Sequence, residues 1–375
     1  MTAQSREPAR PVRVALLGYG YAGRTFHAPL LRSQKAWRLA VVGSSQAATV
    51  HADLGDVTVI DDYHAAASHD EVDMVVIATP NQTHASLAIT ALQAGKHVVV
   101  DKPFAVHVAQ ARAMTSLAHS QGRMLSVFHN RRWDSDFLGL RAVLASGRLR
   151  APVVLESRLE RFRPTVRQRW RESDEPGSGL WFDLGPHLVD QALCLFGLPQ
   201  RINGHMARQR HGACCEDWFL VRLDYGRLQV VLQAGMLCVA PVPRFVLLGE
   251  QGAWHKMKPD PQEDQLRAGL SPDSPGFGQD HDPGWLSDGT GALQPVTVPN
   301  GHHGRYYQLL AAALHGQGSN PVSPEQGCAV MAILQGARDS AAKGGCAVVP
   351  TVLEAEHCAF ARPDRDLDHH PGAGP

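Results

Sequence analysis

Three glycines at the end of a short apolar run have the spacing of an anion-binding turn. The run V-R-V-A-L-L is followed by G-Y-G-Y-A-G. Gly18 permits a tight turn, Gly20 lets a phosphate approach the backbone, and Gly23 lets the following helix pack against the strand. A glycine-rich turn without a ligand is the alternative, but the strand–helix units that follow argue against it. A dinucleotide site limits the chemistry to hydride transfer, and we expect it to be lined by Gly18, Gly20, Tyr21, Ala22 and Gly23.

Lys102 has the position of a proton-transfer residue. It lies just beyond the apolar run H-V-V-V and precedes Pro103. A lysine at the end of a buried strand is partly desolvated, a state in which it can exchange protons near neutrality. An exposed loop lysine is the alternative. Pro103 argues against it, because it fixes the backbone and so directs the preceding side chain.

Asp183 and His187 form a second candidate acid–base group. They lie four residues apart in an apolar segment, a spacing that places two side chains on one face of a helix. We expect them to straddle the start of a helix, with Pro186 as a first-turn residue. Asp183 could instead cap that helix while His187 only packs. The presence of Lys102 favours the catalytic interpretation, because one hydride-transfer site needs one proton-transfer cluster.

The elements around these residues indicate an α/β fold that begins with a parallel sheet. Near-continuous apolar runs alternate with helical patterns that end at Gly95 and Gly122. The predicted strands are Val12–Leu17, Arg38–Gly43, Met74–Ala78, His97–Val100 and Met124–Phe128, and the clearest predicted helices are Thr83–Ala94 and Val106–Gln121. The sequence therefore predicts an N-terminal Rossmann dinucleotide-binding domain, residues 1–128.

Ligands of open α/β sheets bind at the carboxyl ends of the strands. Two polar segments follow predicted strands at that edge, T-P-N-Q-T-H and D-K-P. We therefore expect further cofactor contacts from Thr79, Pro80, Asn81, His84, Asp101 and Lys102.

Beyond residue 128 the apolar pattern changes to longer, alternating runs. The predicted elements are a helix over Trp133–Ala145, strands over Val153–Arg163, Trp218–Tyr225, Arg227–Met236 and Arg244–Leu248, a long loop over Pro259–Gly291, and helices over Gly304–Leu314 and Pro324–Lys343. This pattern predicts a second α/β domain, residues 129–361, whose mostly antiparallel open sheet is covered by helices on one face. We expect a disordered tail over residues 362–375.

The composition excludes several classes of protein. The 375 residues include 36 basic and 36 acidic ones, so no basic excess favours nucleic acid. No apolar stretch approaches the ~20 residues that cross a membrane, and the N-terminal segment has no apolar core typical of a secretory signal. The seven cysteines and 20 histidines show no metal-ligand spacing. We expect no metal, and buried free thiols in a reducing cytoplasm.

Together these motifs resemble the Gfo/Idh/MocA family of NAD(P)-dependent oxidoreductases. The resemblance rests on G-Y-G-Y-A-G, T-P-N-Q-T-H, A-G-K-H-V-V-V-D-K-P and D-L-G-P-H, and it extends roughly from Val12 to Ala342. The segments G-Y-G-Y-A-G-R-T-F-H-A-P-L and F-H-N-R-R-W-D-S-D-F-L are similar to a branch that includes NADP-dependent scyllo-inositol dehydrogenases.

The resemblance implies hydride transfer between nicotinamide and a carbon of a sugar or cyclic polyol. Lys102 matches the lysine of the family's E-K-P motif, with Asp101 where glutamate is usual, and Asp183 and His187 match its aspartate and histidine. In the implied mechanism Lys102 holds the substrate oxygen and His187 exchanges the hydroxyl proton, although either could be the proton carrier. Asp183 orients His187 or holds a neighbouring hydroxyl. The open sheet face is implied to form a homodimer or homotetramer.

The end of the second predicted strand bears on the choice of cofactor. An NAD-specific site places a carboxylate there to bind the ribose 2′-hydroxyl. Here the chain has Ser44 and Ser45, and two hydroxyls without a negative charge favour NADP, with NAD as the alternative. Arg24 is either a cation for the 2′-phosphate or a surface residue.

Residues 161–171 contain five arginines and Trp170. The segment is either a solvated loop or, as in the family, part of the pocket, where Trp170 and an arginine would border the cofactor or substrate. The balanced charge of the whole chain argues against nucleic acid.

Two other functions occur on the same fold. A cofactor-sensing regulator has no turnover, and the presence of Lys102, Asp183 and His187 argues against it. An NAD-dependent glycosidase uses a transient hydride step without net redox change. Both stay open as alternatives.

Overall fold

The N-terminal part of the chain forms a six-stranded parallel sheet. In the computed structural model, which describes residues 10–360, its strands are β1 Val12–Leu17, β2 Trp37–Gly43, β3 Thr58–Ile60, β4 Met74–Ile77, β5 His97–Asp101 and β6 Leu125–Phe128. Their spatial order is β3-β2-β1-β4-β5-β6. The predicted Rossmann sheet is confirmed, and β3 is an edge strand too short to give a periodic signal.

Helices cover both faces of this sheet, which explains why its central strands are apolar throughout. They are α1 Ala28–Arg32, preceded by a π-helical segment over Gly23–His27, then α2 Ala47–Leu54, α3 Tyr63–Ser68, α4 His84–Gln93 and α5 Val108–Ser120. Gly95 and Gly122 follow α4 and α5 with φ angles of 72° and 58°. This left-handed conformation ends a helix and suits glycine, as predicted.

The second sheet is mixed but mostly antiparallel. Its strands are β7 Pro152–Arg158, β8 Arg201–Ala207, β9 Trp218–Tyr225, β10 Leu228–Gly235, β11 Phe245–Gly249, β12 Gly252–Lys256, β13 Gly284–Ser287 and β14 Gln294–Val296. The order is β14-β13-β12-β11-β7-β10-β9-β8, and only β7 and β10 pair in parallel. The predicted sheet class is confirmed, whereas β7 ends five residues earlier than the run over Val153–Arg163 suggested.

The helices of the second part are α6 Ser135–Ala145, α7 Leu180–Phe196, α8 Gln262–Arg267, α9 Gly304–Leu314, α10 Pro324–Ala342 and α11 Glu354–Cys358. The prediction of a long loop over Pro259–Gly291 is wrong in part, because α8 and β13 lie within it. Both are too short to stand out from a segment rich in proline and glycine.

One face of the second sheet packs against helices. Phe219, Val221 and Leu223 of β9 are fully buried, and the ring of Phe219 lies 4.7 Å from that of Trp181 in α7. The alternate side chains point to the other face, where Arg222 is exposed and Leu220 is partly exposed. This one-sided burial is the open sheet that the alternating pattern predicted.

Three further predictions concern the C-terminal tail, membrane-spanning helices and the cysteines. The predicted tail, residues 362–375, lies outside the described residues. Within residues 10–360, no helix has both the length and the apolar character needed to cross a membrane. The expectation of buried thiols holds for Cys328 but is wrong for three exposed residues, Cys214, Cys346 and Cys358.

Candidate active site

The glycine motif forms the turn between β1 and the first helical segment. Gly18 has a φ of 90°, and a Cβ at this position would lie 2.7 Å from the carbonyl oxygen of Ala78. A Cβ at Gly23 would clash with the carbonyl oxygen of Gly18. Both positions therefore require glycine, one for its backbone conformation and both for close packing.

Gly20 differs, because the surrounding protein does not explain it. A Cβ built there has no atom of residues 10–360 within 4 Å. Beside it, Tyr21 is exposed and Ala22 is partly exposed. The turn leads into a helical segment, whose first N–H groups lack intrahelical partners and attract anions. A dinucleotide pyrophosphate fits this open, glycine-lined turn.

Ser44 and Ser45 follow β2 at the same edge of the sheet. Ser44 is buried, and its hydroxyl accepts a hydrogen bond of 3.1 Å from the N–H of Gln46, whereas Ser45 is exposed. Arg24 forms an ion pair with Asp53, with 2.6 Å between Nε and Oδ2. A contact between Arg24 and a cofactor phosphate would therefore compete with Asp53.

The segment after β4 links the two parts of the chain. The amide nitrogen of Asn81 donates a hydrogen bond of 2.7 Å to the carbonyl oxygen of Gly177, which lies just before α7. Nearby, Pro80 is exposed, and the hydroxyls of Thr79 and Thr83 lie 2.6 Å apart. Asn81 thus fixes the edge of the first sheet against the loop that leads into the Asp183 helix.

His84 lies behind this edge and has little exposed surface. Its two ring nitrogens lie 2.9 Å from the carbonyl oxygen of Pro103 and 3.0 Å from that of Thr79. Burial lowers the pKa of His84. It is placed to hold together the two loops that carry the predicted cofactor contacts.

Lys102 reaches across to α7. Its N–H donates to the Asp101 carboxylate at 2.7 Å, and its Nζ donates to the main-chain carbonyl of Asp183 at 2.6 Å and to the carboxylate Oδ1 at 3.3 Å. Asp101 is itself buried. Burial would raise the pKa of Asp101, but His27 and Lys102 beside it lower the pKa overall.

The predicted start of the helix that carries Asp183 is wrong. α7 begins at Leu180, after Gly179 with a φ of 95°, so Asp183 lies in the first turn and Pro186 inside the helix. Tertiary packing explains the early start: Trp181 is fully buried and its indole N–H bonds the carbonyl of Leu334 at 3.0 Å. Pro186 removes only one helical hydrogen bond.

His187 lies one turn beyond Asp183 on the same helix face. It is 5% exposed, and its Nδ1 is buried with no hydrogen-bond partner among residues 10–360. Burial, together with the charges of Lys102 and Arg131, lowers the pKa of His187 well below its usual value of 6.5. The imidazole is therefore neutral at pH 7, the form that can accept a proton.

Asp183 is surrounded by three cations. Lys102 Nζ lies 3.3 Å, Arg171 Nε 3.6 Å and Arg161 Nη1 3.9 Å from its carboxylate oxygens. Burial would raise the pKa of Asp183, but the charges of Lys102 and the arginines lower it, so the carboxylate stays ionised. Trp170 lies behind Arg171, whose guanidinium stacks on the indole ring at 4.5 Å. The arginine-rich segment is therefore not simply a solvated loop.

Lys102 and Asp183 line one narrow cleft. Its walls come from the first sheet edge and from the start of α7, and are formed by Asn81, Lys102, Pro103, Arg171, Gly177, Gly179, Phe182 and Asp183.

Sequence reasoning missed a link between the glycine turn and the second part. The hydroxyl of Tyr21 donates to Glu263 at 2.7 Å, and Arg131 donates to the same carboxylate at 2.6 Å. Burial would raise the pKa of Glu263, but Arg131 and the Tyr21 hydroxyl lower it to about 2. Glu263 belongs to α8, in the segment predicted to be a loop, so no signal pointed to it.

His129 is a second residue that sequence reasoning missed. It directly follows β6, is 1% exposed, and neither ring nitrogen has a partner among the described residues. Burial lowers the pKa of His129 to about 4, in spite of the negative charge of Asp190. Its position at the carboxyl end of a strand was the available signal.

Asp134, Asp260 and His303 are the one group within residues 10–360 with metal-ligand geometry. Each already has protein partners. His303 Nε2 contacts Asp134 Oδ1 at 2.6 Å, and Asp260 Oδ2 accepts hydrogen bonds from the N–H of Ser135 and from Gln262. A buried hydrogen-bond network accounts for the cluster.

Two family models match the two parts of the chain. A model described as the oxidoreductase family, NAD-binding Rossmann fold, of the Gfo/Idh/MocA group matches residues 12–129. The model of the corresponding C-terminal alpha/beta domain matches residues 141–350.

Similar proteins include enzymes and solved structures. The uncharacterized oxidoreductase YdgJ of Escherichia coli is 46% identical over 86% of this chain and 94% of its own length. The scyllo-inositol 2-dehydrogenase (NADP(+)) IolW of Bacillus subtilis is 33% identical over 90% of this chain and 96% of its own. A crystal structure of an oxidoreductase from Klebsiella pneumoniae superposes with a TM-score of 0.88 at 46% identity, covering 94% of this chain and 98% of that one.

Proposed function

The chain belongs to the Gfo/Idh/MocA family of NAD(P)-binding oxidoreductases, and we propose that it is an NADP-dependent dehydrogenase or reductase of a sugar or cyclic polyol. One observation carries the proposal. The ammonium of Lys102 lies 3.3 Å from the ionised carboxylate of Asp183, and a neutral imidazole, His187, lies one turn further along the same helix; the glycine turn at the neighbouring sheet edge suits a dinucleotide. That set can bind a hydroxyl group and remove its proton.

The proposed roles follow from the charge of each group. The bound dinucleotide, held by the glycine turn and the Thr79–His84 segment, supplies or accepts the hydride. Lys102 donates a hydrogen bond to the substrate oxygen and stabilises negative charge that develops there. A ring nitrogen of His187 takes up the hydroxyl proton in oxidation and returns it in reduction. Asp183 stays ionised and holds the Lys102 ammonium in place.

The preference for NADP is supported by the end of β2. Ser44 and Ser45 put no negative charge near the ribose, whereas a carboxylate there would repel a 2′-phosphate. The relative IolW bears NADP(+) in its name. NAD is the alternative cofactor.

A homodimer or homotetramer through the open sheet face is part of the same proposal. Val231 of β10 and Val246 of β11 are partly exposed on this face, on either side of Glu156 in β7. A partner subunit would bury these apolar side chains. We propose a cytoplasmic location, which suits the exposed Cys214 and Cys346 thiols.

A substrate panel tests the proposed function. The purified protein is mixed with sugars and cyclic polyols, scyllo-inositol among them, and with NADP or NAD, and NAD(P)H absorbance is followed. We expect net reduction of NADP with at least one polyol or sugar, lost in Lys102→Met. Glycoside cleavage with no net absorbance change would identify a glycosidase, and tight cofactor binding without any turnover would identify a regulator.

A further inference from the structure

A second, wider cleft adjoins the site on the side of the arginine-rich segment. Its volume is about 470 Å³, within the range of small-molecule pockets. Arg161 lines this cleft and also lies 3.9 Å from Asp183, so one arginine connects the cleft with the candidate active site. Its lining is rich in cationic side chains, namely Arg131, Arg158, Arg161, Arg163, Arg244, Lys258 and Arg267. Of these, Arg244 is buried and pairs with Asp136 at 3.0 Å.

Most of these cations have a carboxylate of their own. Arg131 pairs with Asp134 and Glu263 at 3.0 and 2.6 Å. Arg267 pairs with Asp264 at 3.1 Å. In these pairs the protein already neutralises the charge, so they leave little attraction for a ligand.

Arg158 and Glu160 of the cleft also interact with neighbouring groups of the protein. Arg158 pairs with Glu156 at 2.5 Å. Glu160, the remaining half-buried acid of the cleft, faces Gln233 and the backbone of Gly235, and burial raises its pKa. The nearby charge of Arg158 acts against this rise, so Glu160 adds to the neutralisation of that arginine.

Among the arginines of this cleft, within residues 10–360, Arg163 and Arg161 lack a carboxylate of their own. The guanidinium of Arg163 is partly buried and has no hydrogen bond or ion pair with any residue in the described range 10–360. Within residues 10–360, the guanidinium of Arg161 has one ion-pair contact, 3.9 Å from Asp183, and that carboxylate also serves Lys102 and Arg171. Its charge also acts on Glu263, which Arg131 already neutralises. A guanidinium at the wall of a cleft that has no carboxylate of its own is available to bind the anionic group of a ligand.

We infer that the substrate carries an anionic group, a carboxylate or a phosphate, which docks against Arg163 and Arg161. The reacting hydroxyl then lies at Lys102 and His187, on the other side of Asp183 from Arg161. Guanidinium groups suit this task, because their planar donors bind carboxylate and phosphate oxygens in pairs. The inference rests on the proposed dehydrogenase function and narrows its substrate class to sugar acids or sugar phosphates.

A matched substrate set tests it. Glucose, glucuronate and glucose 6-phosphate share a ring and differ in the charge at one end. We expect kcat/KM with NADP to be at least about tenfold higher for one anionic member than for glucose. Arg163→Gln should lower the anionic-to-neutral ratio of kcat/KM about 10- to 100-fold, mainly through KM, since a charged hydrogen bond is lost.

Two further variants separate charge from folding. Arg163→Lys should retain part of the preference, because it keeps the charge but not the paired donors. Arg123→Gln removes an exposed arginine of the first domain and should leave the ratio unchanged. The ratio of kcat/KM for glucuronate to kcat/KM for glucose 6-phosphate shows whether the site prefers a carboxylate or a phosphate.

The outcomes distinguish this inference from the proposed function. Oxidation of glucose with no anionic preference, or an unchanged ratio in Arg163→Gln, overturns the inference and leaves the dehydrogenase intact. If none of the three sugars is oxidised, calorimetry with NADP present decides. Binding of glucuronate or glucose 6-phosphate that weakens tenfold in Arg163→Gln supports the anion site, whereas no binding of either rejects it.

Discussion

The Nζ of Lys102 donates a hydrogen bond of 2.6 Å to the main-chain carbonyl of Asp183. Lys102 follows a strand of the first sheet, whereas Asp183 lies in the first turn of a helix that covers the second. In an α-helix the carbonyl of residue 183 is also the acceptor for the N–H of His187. One contact therefore ties the ammonium to the helical turn that carries the imidazole, and the cluster exists only when the two parts of the chain are packed together.

Replacing Lys102 should abolish most turnover without releasing the cofactor. Lys102→Met removes the donor that holds the substrate oxygen, so we expect kcat to fall by ~10²–10⁴. The glycine turn is unaffected, and cofactor affinity, measured by calorimetry, should stay nearly unchanged. Lys35→Met, at an exposed lysine, is the matched control. Retention of full turnover in Lys102→Met would remove Lys102 from the proposed mechanism.

His187 should stay neutral well into the acid range. Its pKa is depressed below 6.5, so it gains a proton only at lower pH. In the oxidation direction kcat/KM should therefore show no loss as the pH falls from 7 to 6.5, because the base remains unprotonated. His187→Asn should lower kcat by ~10²–10⁴. An acid limb centred at or above pH 6.5 that persists in His187→Asn would point to another base.

The serines after β2 should control the choice of cofactor. Ser44→Asp or Ser45→Asp places a negative charge where the 2′-phosphate is expected, and repulsion should shift the preference towards NAD by about tenfold or more. Ser44→Asn and Ser45→Asn, which add no charge, are the controls. Cofactor preference is measured as the ratio of the dissociation constants for NADP and NAD in the wild-type protein and in each variant. A wild-type protein that binds NAD more tightly than NADP contradicts the expectation.

Buried His129 should make the protein sensitive to mild acid. Its pKa is about 4 in the folded chain, against an ordinary value of 6.5. Between these pH values the unfolded chain binds the proton and the folded chain does not, so stability falls as the pH falls. The contribution is on the order of 3 kcal/mol. His129→Gln should therefore flatten the dependence of the free energy of unfolding on pH between about 6.5 and 4, as measured by urea denaturation. Exposed His211→Gln should leave the slope unchanged, and an equal slope in His129→Gln would refute this account.

The open sheet face should carry the subunit interface. Val231→Glu places a charge among the partly exposed valines of that face, and we expect the oligomer to dissociate because a buried unpaired carboxylate is costly. Light scattering after gel filtration measures the mass. Exposed Val349→Glu, outside the sheet, is the control. An oligomer that survives Val231→Glu must use another surface.

The local parts of the molecule could be predicted from the sequence. The glycine turn, the buried parallel strands and the helix ends at Gly95 and Gly122 each depend on a few neighbouring residues, which restrict the backbone in any context. Short elements such as β3 and α8 gave no signal, because three to six residues are too few to show a period.

The candidate site shows the same division. Lys102, Asp183 and His187 could be selected from residue type and spacing, and the open alternation of β9 predicted the exposed sheet face. Only the tertiary structure placed Glu263 against Tyr21, buried His129, and began the Asp183 helix at Leu180, ahead of Pro186. It also left the guanidinium of Arg163 without an ion pair among residues 10–360. These features depend on long-range packing, which decides which charges meet and how far each is removed from water, and a sequence pattern carries no direct record of either.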